Sequence, residues 1–133
     1  MPFTIKCFNG TQPPGTFYIQ NKGLHAGRPL KNPIANCFVI YTEDEHLFSR
    51  VYALFVGRCF EYYIIGSVIP TIRIGDVKNL IEQAQRIPQD FTKQLQAIHK
   101  IDSLLCNIEE QRTHYRALQR SICRTIYKEI ELK

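Results

Sequence analysis

The sequence has no tryptophan, a single methionine, and neither glycine nor proline after Pro88. It has no acidic residue before Glu43 and no apolar run near the roughly 20 residues that a membrane-spanning helix needs. Residues 1–6 do not begin the charged-then-apolar order of a signal peptide. These absences predict a soluble cytoplasmic protein with no membrane partner.

The cysteine and histidine patterns exclude several kinds of site. The five cysteines are an odd number and form no Cys-x-x-Cys pair, so neither a disulfide framework nor a zinc knuckle is indicated. We therefore expect reduced thiols, no metal and no cofactor. The sequence predicts a non-enzymatic protein, and the enzyme alternative would require a polar pocket around the scattered histidines. These are His25, His46, His99 and His114.

Positive charge is concentrated where acidic residues are missing. The net charge is +5, and residues 1–40 hold four basic residues and no acidic one. Such a segment favours an anionic partner such as nucleic acid. The Gly- and Pro-rich loop over residues 20–36 can present Lys22, Arg28 and Lys31 to a phosphate backbone. Its glycines are better explained by tight turns, because their spacing is not that of a P-loop.

Short strands and helices are predicted for the first two thirds of the chain. Alternating, β-branched and aromatic residues predict strands over residues 3–8, 16–19 and 37–41. Residues 60–65 fit either a helical extension or a strand, and residues 71–74 fit a short strand. We expect an α+β fold in which a small mixed head, residues 1–87, is followed by one long C-terminal coiled-coil-like helix, residues 88–133.

Two helices are predicted within the head. Thr42 and Glu45 have the spacing of a capping box, which predicts a helix that begins there and ends before Gly57. Asp76 is placed to cap a second helix over residues 77–86.

The long helix carries an apolar seam. Its apolar residues recur at steps of three and four, apart from the seven-residue step between Ile108 and Tyr115, where Arg112 fills the expected site. An apolar stripe of this length needs a partner, so we expect a homodimer or a docked partner helix. The seam residues are Ile98, Ile101, Leu105, Ile108, Tyr115, Leu118, Ile122 and Ile126.

Basic residues follow the same helix at every fourth position. They form a ridge that either follows nucleic acid or an acidic partner, or is a solvated face beside the seam, and the solvated face is the stronger interpretation. The ridge consists of Arg112, Arg116, Arg120, Arg124 and Lys128.

The stretch from Cys37 to about Ile126 resembles the target recognition half of type I restriction-modification specificity subunits. The resemblance rests on a Gly-Ser-x-x-Pro turn at residues 66–70 and on the pattern Ile-x-x-x-Asp-Val-x-x-Leu at residues 72–80. Pro88 and a long helix with Gln94 and Ile101-Asp102 continue it. The chain is also similar to small uncharacterised proteins of bacterial mobile elements.

This resemblance implies a non-enzymatic head that reads double-stranded DNA, joined to a spacer helix that pairs with a second helix or docks a methyltransferase-like subunit. Asn79 has an amide able to pair with adenine, although a plain helix-surface position is the stronger interpretation. The alternative is an adaptor that kept the fold without reading DNA and acts on a host restriction complex. The candidate DNA-binding residues are Lys22, Arg28, Lys31, Arg73, Lys78 and Asn79.

Overall fold

A computed structural model describes residues 2–131, apart from the side chain of Gln89. It confirms the α+β fold, with a small antiparallel sheet, two short helices and one long C-terminal helix. The strands are β1 (Phe3–Cys7), β2 (Phe17–Gln20), β3 (Pro29–Leu30) and β4 (Cys37–Thr42). The α-helices are α1 (Leu47–Val56), α2 (Ile74–Gln85) and α3 (Thr92–Glu131), and short 3₁₀ helices cover Glu61–Tyr63 and Gln89–Phe91.

The sheet has the strand order β1-β4-β2-β3, and all of its pairs are antiparallel. β4 lies between β1 and β2, with Ile40 paired to Ile5 on one side and to Phe17 on the other. Because side chains alternate along a strand, this register sends Phe38 and Ile40 to one face and Cys37 and Val39 to the other. All four are buried, which explains why this strand is apolar without alternation.

The main core lies between one face of the sheet and the helices α1 and α2. Both helices contribute an apolar stripe at helical spacing, including Leu47 and Val51 from α1 and Leu80 and Ile81 from α2. Phe60, from the segment after α1, completes this core and is 1 % exposed.

A second, smaller cluster covers the opposite face of the sheet. It contains Tyr18, Cys37 and Val39, and the segment over residues 8–15 folds onto it. The Gly15 N–H donates to the Tyr18 hydroxyl oxygen at 3.0 Å. A Cβ atom at Gly15 would lie 2.5 Å from a methyl group of Val39, so only glycine fits here without a shift.

The two short helices begin at different residues from those predicted. Thr42 ends β4, and its hydroxyl accepts a hydrogen bond from the Asp44 N–H at 3.1 Å, so the expected capping box with Glu45 does not form. Asp44 in turn accepts from the His46 N–H at 2.9 Å, and α1 begins at Leu47. Helix α2 starts at Ile74, which places Asp76 in its first turn instead of at the cap.

Residues 65–71 form a narrow loop where a turn and a strand were predicted. Ile65 and Thr71 exchange two backbone hydrogen bonds, each 2.8 Å long. Gly66 has φ +98°, a conformation that only glycine adopts without strain. The predicted strand over residues 71–74 is reduced to two isolated bridges at Thr71, one to Ile65 and one to Lys22, because Ile74 already belongs to α2.

The chain divides into two compact units, Met1–Leu95 and Gln96–Lys133, called the N-terminal and C-terminal units below. The predicted division after residue 87 stays a prediction. At a rise of 1.5 Å per residue, the 40 residues of α3 extend over about 60 Å. Among the described residues, no helix is both long and apolar enough to cross a membrane.

We predict opposite effects for alanine at two glycines. Gly66→Ala should lower the free energy of unfolding by about 1–3 kcal/mol, because its φ is positive and a Cβ would lie 2.5 Å from the Ile69 carbonyl oxygen. Gly75→Ala, within α2 and with open space around its Cβ, should be neutral or stabilising by up to about 1 kcal/mol. Urea unfolding curves measure both, and equal losses would contradict the strain at Gly66.

Candidate nucleic-acid interface

Two of the candidate cations are brought together by backbone pairing between distant segments. The Gly23 N–H donates to the Pro70 carbonyl oxygen at 2.8 Å, and the Ile72 N–H donates to the Asn21 carbonyl oxygen at 3.0 Å. Lys22 therefore lies opposite Thr71, two residues from Arg73. Both side chains are exposed. We call this pair of cations and the bridge beneath it the Lys22–Arg73 surface.

Helix α2 begins directly beside this surface. Arg73 is its N-cap residue and has an extended backbone, φ −84° and ψ 149°. The buried stripe of α2, which includes Val77 and Leu80, leaves Lys78 and Asn79 exposed to solvent. The structure thus places Lys78 and Asn79 on the helix that starts at the Lys22–Arg73 surface.

The remaining two cations belong to the segment that contains β3. Arg28 is exposed, and its backbone is fixed because the Gln20 N–H donates to its carbonyl oxygen at 2.9 Å. The Lys31 ammonium lies 4.1 Å from the centre of the Phe48 ring, a cation–π contact with α1. Lys31 therefore has a structural contact that sequence patterns did not indicate.

The charges near these cations determine whether they are free to bind an anion. Arg50 pairs with Asp44 at 3.7 Å, and Arg58 pairs with Glu61 at 3.7 Å. Within the described part of the chain, no carboxylate lies at ion-pair distance from Lys22 or Arg73. Arg28 and Lys78 also have no carboxylate at ion-pair distance among residues 2–131. These four cations are available to phosphate oxygens.

Apolar residues at two turns were not predicted to be part of the site. Val68 is 89 % exposed and Ile69 is 60 % exposed, on the loop that Ile65 and Thr71 close. Leu24, 84 % exposed, follows Gly23, whose N–H is bonded to the same loop. The glycines and prolines around these residues predicted the turns correctly. A large apolar residue within a predicted turn was the sequence signal for an exposed apolar site, because turns lie at the surface.

The surroundings of His25 and the grouping of possible metal ligands bear on the enzyme alternative. His25 lines a concavity of about 350 Å³ together with Arg58 and Glu61, which are paired with each other, and with apolar residues such as Phe55 and Phe60. Among residues 2–131, no three His, Cys, Asp or Glu side chains are grouped so that they could hold a metal ion.

One cysteine has a perturbed acidity. Burial raises the pKa of the Cys37 thiol. The thiol also donates a hydrogen bond to the Ile34 carbonyl oxygen, 3.1 Å from Sγ, which favours the protonated form. The thiol therefore stays protonated and weakly nucleophilic at neutral pH.

The seam residues predicted for the long helix all lie on α3. Ile98 is partly exposed, and the other seven are exposed, with values between 53 % for Ile122 and 71 % for Tyr115. Leu104, Tyr127 and Ile130 widen the apolar stripe. Arg112, at the interruption of the seam, lies 3.8 Å from Glu109 one turn before it.

The chain matches a family of unknown function, DUF6943, over residues 5–125. The match covers most of the sequence, so the chain belongs to this family. No curated protein and no solved structure is detectably similar to it.

We predict that Cys37 is the slowest of the five cysteines to be alkylated. It is buried and its pKa is raised, whereas Cys7, Cys59, Cys106 and Cys123 are exposed, so we expect at least about a tenfold difference in rate at pH 8. Mass spectrometry of iodoacetamide-treated protein measures each site. In urea the difference should disappear, and a Cys37 that reacts as fast as the others in the folded protein would contradict the prediction.

Proposed function

We propose that the protein is a non-enzymatic DNA-binding module that acts as a homodimer in the cytoplasm, and that it resembles half of a type I restriction specificity subunit. The observation that carries this proposal is the Lys22–Arg73 surface. Two exposed cations come from segments about 50 residues apart in the sequence: Lys22 is bridged to Thr71, and Arg73 lies two residues after Thr71. Their charges are not neutralised by a carboxylate of the described chain.

Phosphate contacts of this kind position a protein on duplex DNA without specifying a sequence. Lys22, Arg28, Arg73 and Lys78 would supply them, and Lys31 would do so only by giving up its contact with Phe48. Asn79, exposed on α2, is the one candidate for a base contact, through its amide and an adenine edge. The absence of acidic residues from the first 40 positions favours the same anionic partner.

The homodimer is supported by the apolar seam of α3. Its residues from Ile101 onward are all exposed, and an apolar stripe of this length is rarely left in water. Self-association would bury the stripe and would bring two DNA-contacting units together on one DNA molecule. Docking of a methyltransferase-like partner on the same seam is the alternative occupant. Cytoplasmic residence is consistent with five free cysteines in a reducing compartment.

A second candidate function is a protein-interaction module that acts as an adaptor, for instance on a host restriction complex. The exposed Leu24, Val68 and Ile69 favour it, because adjacent turns that carry large apolar residues are typical of protein docking sites. In that case the affinity for the partner would depend little on salt, whereas DNA binding through phosphates would depend on it steeply.

We predict that the protein binds random-sequence duplex DNA with an affinity that falls steeply as salt increases. The variant Lys22→Gln with Arg73→Gln should weaken binding about tenfold or more. It should also reduce the slope of log K against log salt by about one for each lost phosphate contact. Fluorescence anisotropy of a labelled duplex at several salt concentrations measures both.

The matched control is Lys6→Gln with Arg58→Gln, which removes the same charge elsewhere. Lys6 lies on the edge strand β1, and Arg58 is paired with Glu61. The control should bind nearly as well as the unmodified chain. Equal losses in both variants would mean that only net charge matters, and no binding at low salt would reject DNA as the partner in favour of the adaptor function.

A further inference from the structure

The apolar seam of α3 is symmetric about its own interruption. Ile108 and Tyr115 lie at equal distances from the point between Gln111 and Arg112. Two further pairs have the same midpoint, namely Leu105 with Leu118 and Ile101 with Ile122. All four of these residues are exposed.

This spacing is what two identical helices need in order to pair in opposite directions. In an antiparallel pair, each residue on one side of the midpoint faces its mirror position in the other copy. Each apolar residue of the inner seam would then meet an apolar residue, and Arg112 would face Gln111 of the second copy. A parallel pair in register would instead bring Arg112 against its own copy within the seam, where like charges repel.

The charges of α3 divide at the same midpoint. Residues 112–128 hold five basic residues and no acidic one, and residues 95–111 hold three acidic residues and one basic residue. These two segments are mirror images about the midpoint. Antiparallel pairing therefore sets the basic ridge of each copy beside the acidic half of the other, whereas parallel pairing sets two basic ridges side by side.

We infer that α3 pairs with a second copy of this chain in antiparallel orientation, with the two-fold axis between Gln111 and Arg112. The inference rests on the homodimer in the proposed function and adds its direction and register. It places the two Thr92 residues, where the paired helices begin, about 58 Å apart at 1.5 Å per residue. The two N-terminal units are then attached at opposite ends of the helix pair.

Disulfide formation between single-cysteine variants tests the register. The full chain is first prepared with serine in place of the four exposed cysteines, Cys7, Cys59, Cys106 and Cys123, while the buried Cys37 is kept. Leu105→Cys and Leu118→Cys are then made separately in this background. Each variant is oxidised alone and after mixing, and covalent dimers are detected by non-reducing electrophoresis.

The mixture should form covalent dimers, and neither variant alone should do so. A Leu105→Cys protein that crosslinks to itself would establish parallel pairing and overturn the inference. So would a dimer, seen by analytical ultracentrifugation, that crosslinks in none of the three samples. A monomer at micromolar concentration would overturn both this inference and the homodimer. It would leave the proposed DNA binding to be decided separately, by the salt dependence of the anisotropy measurement.

A charge-reversal variant provides a second test that needs no introduced cysteine. Arg112→Glu with Arg116→Glu puts acidic residues near Glu109 and Glu110 of the second copy in the antiparallel pair. The dimer dissociation constant should then rise about tenfold although the net charge of the chain falls. In a parallel pair the same variant would relieve the repulsion between the two basic ridges, so a dissociation constant that falls or stays the same would overturn the inference.

Discussion

The N-terminal unit depends on the central position of β4. This strand pairs with β1 on one side and β2 on the other, and its side chains enter both apolar clusters. A strand buried on both faces cannot shift register by a single residue without exchanging the two clusters. The packing of α1 and α2 on one face and of residues 8–15 on the other therefore depends on this one strand.

The Lys22–Arg73 surface is a consequence of that arrangement. β2 is held beside β4, so the chain that follows it reaches the segment just before α2, where Asn21 and Gly23 pair with Ile72 and Pro70. Because the bridge is made by backbone groups, the fold fixes the backbone positions of Lys22 and Arg73. Under the proposed function, the surface would bind phosphate without first ordering a loop, which would reduce the entropy cost of binding.

Sequence patterns predicted the parts of the structure that depend on interactions between residues close together in the chain. The α+β class and the long helix followed from strand alternation and from the lack of glycine and proline after Pro88. The start of α1 was predicted wrongly. The Thr42 hydroxyl accepts a hydrogen bond from the Asp44 N–H at the end of β4, and the residues Thr42 to Glu45 fit this turn as well as they fit a capping box. The bridge between Lys22 and Thr71 joins distant segments, and no periodicity in the sequence encodes such a pairing. The contact between Lys31 and Phe48 was missed for the same reason.

The C-terminal unit raises a different energetic question. Every residue of α3 from Ile101 to Glu131 is exposed, so nothing within the C-terminal unit covers the apolar face of that part of the helix. Most helices in proteins derive their stability from packing of an apolar face, and an isolated helix relies on propensity alone. A partner that covers the seam would therefore stabilise the helix as well as the assembly. Under the proposed function the same event would link two weak DNA contacts into one, since a second unit held nearby binds at a high effective concentration. Folding of α3, pairing of two chains and affinity for DNA would then be coupled through one apolar stripe.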